Sequence, residues 1–153
     1  MDFDENVKKL GIKYQTPYED NEYFVAYKEF GNKMLSVSGT GADHDDFYPQ
    51  GSVGKDFTVE EAYDMAYGAV INIVSGIKKK YGTLNVVKSI VKITVYVHCA
   101  EGFDQPGLVA HGASKAFVDI FGEEAGKPSR TALGMRTLPD GIPLEVDAFI
   151  ELN

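Results

Sequence analysis

The sequence predicts an α+β domain: a mixed sheet with the order ββαβαββ and two helices packed on one face. Three features carry that prediction. Ser89 to Cys99 alternates strictly, with Val91, Ile93, Val95 and Val97 on one face and Lys92, Thr94 and Tyr96 on the other, the pattern of a half-covered strand. Thr58-Val59-Glu60-Glu61 is a capping box ahead of a long amphipathic stretch, and Pro106 stands where a second helix starts.

In chain order, Asn6 to Leu10 reads as a short amphipathic helix and Thr16 to Asn21 as an extended connector. Residues 1–21 therefore form an N-terminal extension of a single domain, 1–153. Tyr23 to Tyr27 and Lys33 to Ser38 are β-favouring runs around Gly31-Asn32, a hairpin followed by a turn at Gly39. Gly41 to Asp56, rich in Gly and Asp and without periodicity, is one long loop. The helix after Thr58 presents Ala62, Met65, Ala66, Ala69, Val70, Ile73 and Ile77, a small-residue stripe that lets it lie close on a sheet, and Gly82 stops it. In the second helix Leu108, Ala113, Ala116, Phe117, Ile120 and Phe121 face the sheet, and Gly122 closes it. Strands at Thr131 to Arg136 and Leu144 to Glu151 complete the sheet. Its other face, with Lys92, Thr94, Tyr96, Glu145 and Asp147, is too polar for a core and too aromatic for bare solvent, which predicts a moderately polar subunit interface.

Composition narrows the function classes. A chain of 153 residues with 44% hydrophobic and 25% charged content is of single-domain size. No apolar run approaches the ~20 residues of a bilayer helix, and Met1 to Glu5 lacks the basic start of a signal peptide, so no membrane contact and a cytoplasmic location are expected. The lone Cys99 fits a reducing compartment. A net charge of −8 argues against nucleic acid as a partner. Lys78-Lys79-Lys80 sits at a helix C-terminus, where cations complement the dipole.

Candidate chemistry gathers at the end of the chain. Arg130 offers a permanently charged planar fork for a carboxylate or phosphate, or else a structural ion pair with Glu145 or Asp147. Leu138-Pro139-Asp140-Gly141 makes a turn. If that turn is tight, the last two strands pair as a hairpin, with Arg130 opposite Phe149 and Glu145 opposite Gly134. Arg130 and Glu145 then share a face roughly 13 Å apart, too far for one small ligand, and a neighbouring subunit becomes the better source of the second group. Asp43-His44-Asp45-Asp46 reads as solvated loop carboxylates rather than a metal site. Cys99 has no evident base to activate it, and His111 either contacts ligand or packs on its helix.

Ser38-Gly39, Arg130-Thr131-Ala132, Leu138-Pro139 and Glu145 fifteen residues after Arg130 resemble, in that order, the RidA (YjgF) family of enamine and imine deaminases. The resemblance covers about residues 22 to 151, and the extended N-terminus with Gln105-Pro106 and His111-Gly112-Ala113-Ser114 looks like a longer-chain branch. It implies a chorismate-mutase-like fold, a homotrimer, and sites in clefts between subunits. Arg130 would bind the carboxylate of a small-molecule substrate and Glu145 would orient water, hydrolysing a 2-imino acid to a 2-oxo acid and ammonia with no metal or organic cofactor. Gly39, Phe24 and Ala132 fall at the family's other substrate-contacting positions, and the helix position that usually holds a polar amide falls near His111 or Ser114, both taken as substrate-binding candidates. Phe24 is the aromatic near the first strand, and Ala132 stands where many members carry a thiol. The alternative is a noncatalytic trimer that binds small carboxylates or partner proteins. An endoribonuclease activity, attached by name to some relatives, fits poorly with the acidic charge and the lack of a histidine pair.

Overall fold

The helix-start signals are obeyed in the computed structural model, which describes residues 1–153. Helix α1 (Phe3–Lys9) starts earlier than the periodicity predicts because Asp2 caps it, its carboxylate accepting from the Glu5 amide at 3.1 Å. Helix α2 (Val59–Tyr81) has the full capping box at Thr58 and Glu61, and Gly82 ends it in a left-handed conformation with φ 77°. Two of the three lysines at that end meet carboxylates of the extension, Lys78 with Asp4 and Lys79 with Glu19.

Strands β1 (Tyr27–Phe30) and β2 (Met34–Thr40) form the hairpin, Tyr27 facing Val37 and Phe30 facing Met34. Tyr23 to Ala26 stay outside the ladder. Asn21 Oδ1 accepts from the amides of Tyr23 and Phe24 at 2.8 and 3.1 Å, and Asp20 Oδ1 from that of Ala26 at 2.8 Å, a local side-chain turn that competes with strand pairing. Strand β3 (Val87–His98) carries a bulge between Ile90 and Lys92, so Ile90 enters the core and Val91 is exposed, against the strict alternation. Helix α3 (Pro106–Gly126) leaves helical geometry at Gly122, with φ 79° and ψ 170°, then makes one more turn; Leu108 points outward rather than toward the sheet.

Strands β4 (Ser129–Met135) and β5 (Leu144–Leu152) are not a hairpin. The sheet order is β1-β2-β5-β3-β4, with β4 parallel to β3 and every other neighbour pair antiparallel. Burial explains the difference. Leu144, Val146, Ala148, Ile150 and Leu152 are all buried, so β5 gains most between two neighbours, whereas β4, with Arg130 and Gly134, suits an edge.

Helices α2 and α3 cover one face, where Leu35, Val37, Ile93, Val95, Val97, Val146 and Ile150 meet Ala66, Ala69, Ile73, Ala113, Phe117 and Ile120 in one core. The other face is open. There the Tyr96 hydroxyl donates to Asp147 at 2.8 Å, Lys92 Nζ donates to Thr131 Oγ1 at 2.8 Å, and Phe149 meets Phe30 edge-on at 5.7 Å. No helix is long and apolar enough to cross a membrane.

Candidate functional site

Glu145 sits on the open face, opposite Tyr96 in β3. The irregular pairing of β2 with β5 between Val37 and Thr40 brings Gly39 beneath it so closely that a Cβ there would stand 2.8 Å from Glu145 Oε1. This glycine is needed for space, since its own φ is unremarkable. Around the pair opens a cleft of about 350 Å³, lined by Tyr18, Phe24, Ser38, Asp43 and Asp140 among others. The Glu145 carboxylate is half-buried and hydrogen-bonded to nothing in its own chain. Burial, and after it the charge of Asp147, pushes its pKa above the ordinary value.

The cleft holds a residue the sequence reading missed. The Tyr18 hydroxyl donates to the Asp43 carboxylate and accepts the Gly41 amide at 3.1 Å. Burial first, then its bond to Asp43, pushes the phenol well above its usual range. Phe24 is more than half exposed at the mouth and brings no hydroxyl, so the phenol of this cleft comes from the connector. A tyrosine in an extended polar segment gives no periodic or motif signal; only the fold of residues 12–26 back over the sheet edge brings it there.

Arg130 lies elsewhere. It pairs with Ile93, a core residue, and so projects from β4 toward the helices, whereas Glu145 pairs with Tyr96 and projects to the open face. The two share no face, which corrects the expectation drawn from a hairpin; the parallel crossover through α3 reverses that parity. Arg130 Nη1 contacts His111 Nδ1 at 2.9 Å and donates to Ser114 Oγ at 3.1 Å. A guanidinium can only donate, so His111 Nδ1 accepts and the ring proton belongs on Nε2. Neither Glu145 nor Asp147 forms an ion pair with Arg130, so its fork is not spent on them. Ala132 follows on the same side of β4, half-buried against the core.

The seven residues thus divide into two groups. Arg130, His111, Ser114 and Ala132 lie at the α3–β4 edge; Glu145, Gly39 and Phe24 lie in the cleft on the open face. In the loop Asp43 to Asp46, Tyr18 engages Asp43 and Thr16 Oγ1 donates to Asp45 at 3.3 Å. The three histidines stand apart, His44 in the loop, His98 at the end of β3 and His111 in α3.

No family model matches the chain. Protein TCP17 of Trypanosoma cruzi is 36% identical over 149 residues, covering 97% of this chain and 92% of that one. Among solved structures, a Shewanella oneidensis protein provisionally named an endoribonuclease superposes with a TM-score of 0.92 at 24% identity, covering 99% and 100% of the two chains. The Agrobacterium tumefaciens protein Atu1372, of unknown function, gives 0.86 at 27%, covering 99% and 94%. RidA from an Antarctic Psychrobacter gives 0.57 at 17%, covering 90% and 94%. The architecture is the chorismate-mutase-like one that RidA (YjgF) proteins share, and the chain belongs to one family with TCP17.

Proposed function

We propose that this protein hydrolyses 2-imino acids and their enamine tautomers to 2-oxo acids and ammonia, in clefts that a second copy of the chain completes within a homotrimer. The observation that carries the reading is Glu145: a half-buried carboxylate, raised in pKa and without a hydrogen-bond partner, in a cleft whose lining contains no Lys or Arg. Glu19, Asp43 and Asp140 line the same cleft, so its field favours a protonated imine, the electrophilic form. A carboxylate of raised pKa is also a stronger base toward the water that must attack.

Glu145 takes a proton from that water as its oxygen bonds to the C=N carbon, and the C=N electron pair moves onto nitrogen. The proton then passes from Glu145 to the nitrogen. Ammonia leaves as the new hydroxyl loses its proton to Glu145 and C=O forms. Neither a metal nor an organic cofactor enters these steps. Arg130 holds the substrate carboxylate with the part of its fork that His111 and Ser114 leave free. That fork and the Glu145 of the same chain lie on opposite faces, which supports a cleft that takes Arg130 from one chain and Glu145 from its neighbour.

The test generates 2-iminopropanoate or 2-iminobutanoate in situ and follows its loss. Wild type should exceed spontaneous hydrolysis, Glu145→Gln should lose about 100- to 10,000-fold, and Arg130→Ala should lose chiefly through a raised KM. No acceleration with any 2-imino acid overturns the reading. Retained binding of small carboxylates would then favour a noncatalytic trimeric binder, to which the absence of a hydroxyl at Phe24 and a thiol at Ala132 also points.

A further inference from the structure

Beyond the carboxyl ends of the parallel pair β3–β4 lies a larger cavity, about 840 Å³, that shares no lining residue with the Glu145 cleft. Ligands of open sheets with parallel strands settle at such ends. Its walls are Lys55 and Ser52 from the long loop, His98 to Glu101 and Phe103 after β3, and Gly134 to Arg136 at the end of β4. In a chain of net charge −8, its charged lining is two basic side chains, Lys55 and Arg136, and one carboxylate, Glu101. Neither Lys55 nor Arg136 forms an ion pair, with Glu101 or with any other carboxylate. The sequence has two arginines, and Arg136 is the one that no part of the proposed imine chemistry uses.

The walls are fixed by backbone. The Val53 amide donates to His98 O at 2.8 Å, Ala100 to Val53 O at 2.9 Å and Cys99 to Met135 O at 3.0 Å, tying the loop and both strand ends together. Gly54, at φ 96°, makes the turn that presents Lys55 and leaves room for the Phe103 ring, which would stand 2.8 Å from a Cβ there. His98 Nδ1 is buried without a partner, so the ring meets the cavity by its other edge, which carries Nε2. Phe103 and Met135 supply the apolar wall. Burial raises the Cys99 thiol, which keeps it protonated and makes this a place to bind rather than to react.

We propose that this cavity binds a small organic anion, with its carboxylate or phosphate held by Arg136 and Lys55 and its apolar or aromatic body against Phe103 and Met135. Amide NMR titration of the whole protein with benzoate and with phenyl phosphate tests it and tells the two anion classes apart. Saturable shifts at Ser52, Gly54, Cys99 and Gly134, with a dissociation constant of roughly millimolar or below for at least one probe, are expected. Arg136→Ala and Lys55→Ala, both at exposed positions, should each weaken binding about tenfold or more, Glu101→Gln should tighten it, and Arg130→Ala should leave it unchanged. The absence of saturable shifts for both probes, undiminished binding to Arg136→Ala, or shifts confined to Arg130 and Glu145 would each overturn the proposal. None of these outcomes depends on imine hydrolysis.

Discussion

A methyl group at Gly39 would collide with the Glu145 carboxylate, so the charge and the space around it were shaped together. That fit leaves Glu145 without solvent on one side, and its pKa records the cost. A folded-state pKa raised above the ordinary 4.5 means that the native protein holds this proton more tightly than the unfolded chain does. The stability it contributes is complete below the unfolded value and is lost as pH rises through the folded one. Glu145→Gln should therefore raise the melting temperature at about pH 7.5, with the gain shrinking toward zero near about pH 4. An equal gain at both ends of a pH series of thermal melts would refute burial as the cause. Tyr18 makes the second residue-scale prediction. Its hydroxyl fills one acceptor position with the Gly41 amide and gives its proton to Asp43, which leaves one lone pair toward the cleft for water or the imine N–H. Tyr18→Phe should lower kcat for imine hydrolysis about tenfold with little change in KM, because the carboxylate anchor lies elsewhere. Steady-state kinetics on both variants would show a KM effect instead if Tyr18 merely binds.

Among the elements, α2 and α3 approach so closely that a Cβ at Gly112 would lie 2.0 Å from the Tyr63 carbonyl oxygen. The obstacle is backbone, which cannot rotate aside, so Gly112→Ala should destabilise the fold by about 1–3 kcal/mol or more, measured as a lower urea midpoint. The helix ends were legible in the sequence because capping is chemistry over four residues: Thr58 with Glu61, Gly82 after Tyr81, and Pro106 at the first turn all act where they were read. Gly122, expected to close its helix, interrupts it instead, and one further turn runs to Gly126. The bulge in β3 was not legible, since Ile90 and Val91 are adjacent and both apolar, and the alternation by itself turns Val91 inward. The place of β5 was hidden for a deeper reason. Its insertion between β2 and β3 is a pairing of segments far apart in sequence, which the local turn at Leu138 to Gly141 does not specify. The error in the Arg130 face followed from it, because side-chain parity depends on which strand a residue lies beside.

For the whole molecule, the open sheet face carries the argument. Its polar groups are largely satisfied within the chain, Lys92 by Thr131 and Tyr96 by Asp147, while Leu133 and Phe149 remain 41% and 46% exposed, a mixture suited to a moderately polar interface. Charges placed there, as in Leu133→Glu with Phe149→Glu, should yield a monomer by sedimentation, with imine hydrolysis lost alongside. A sharper test uses the division of the site itself. If each cleft takes Glu145 from one chain and Arg130 from its neighbour, chains carrying Arg130→Ala alone or Glu145→Gln alone are both inactive, yet each retains the half that the other lacks. Unfolded together in equal amounts and refolded, they should assemble at random, and about one cleft in four should receive an intact arginine from one variant and an intact glutamate from the other. Activity should return to about a quarter of the wild-type value per chain, while each variant refolded alone stays silent. Were both groups to act within one chain, no mixing ratio could restore an intact pair, and the mixture would be as inactive as its parts.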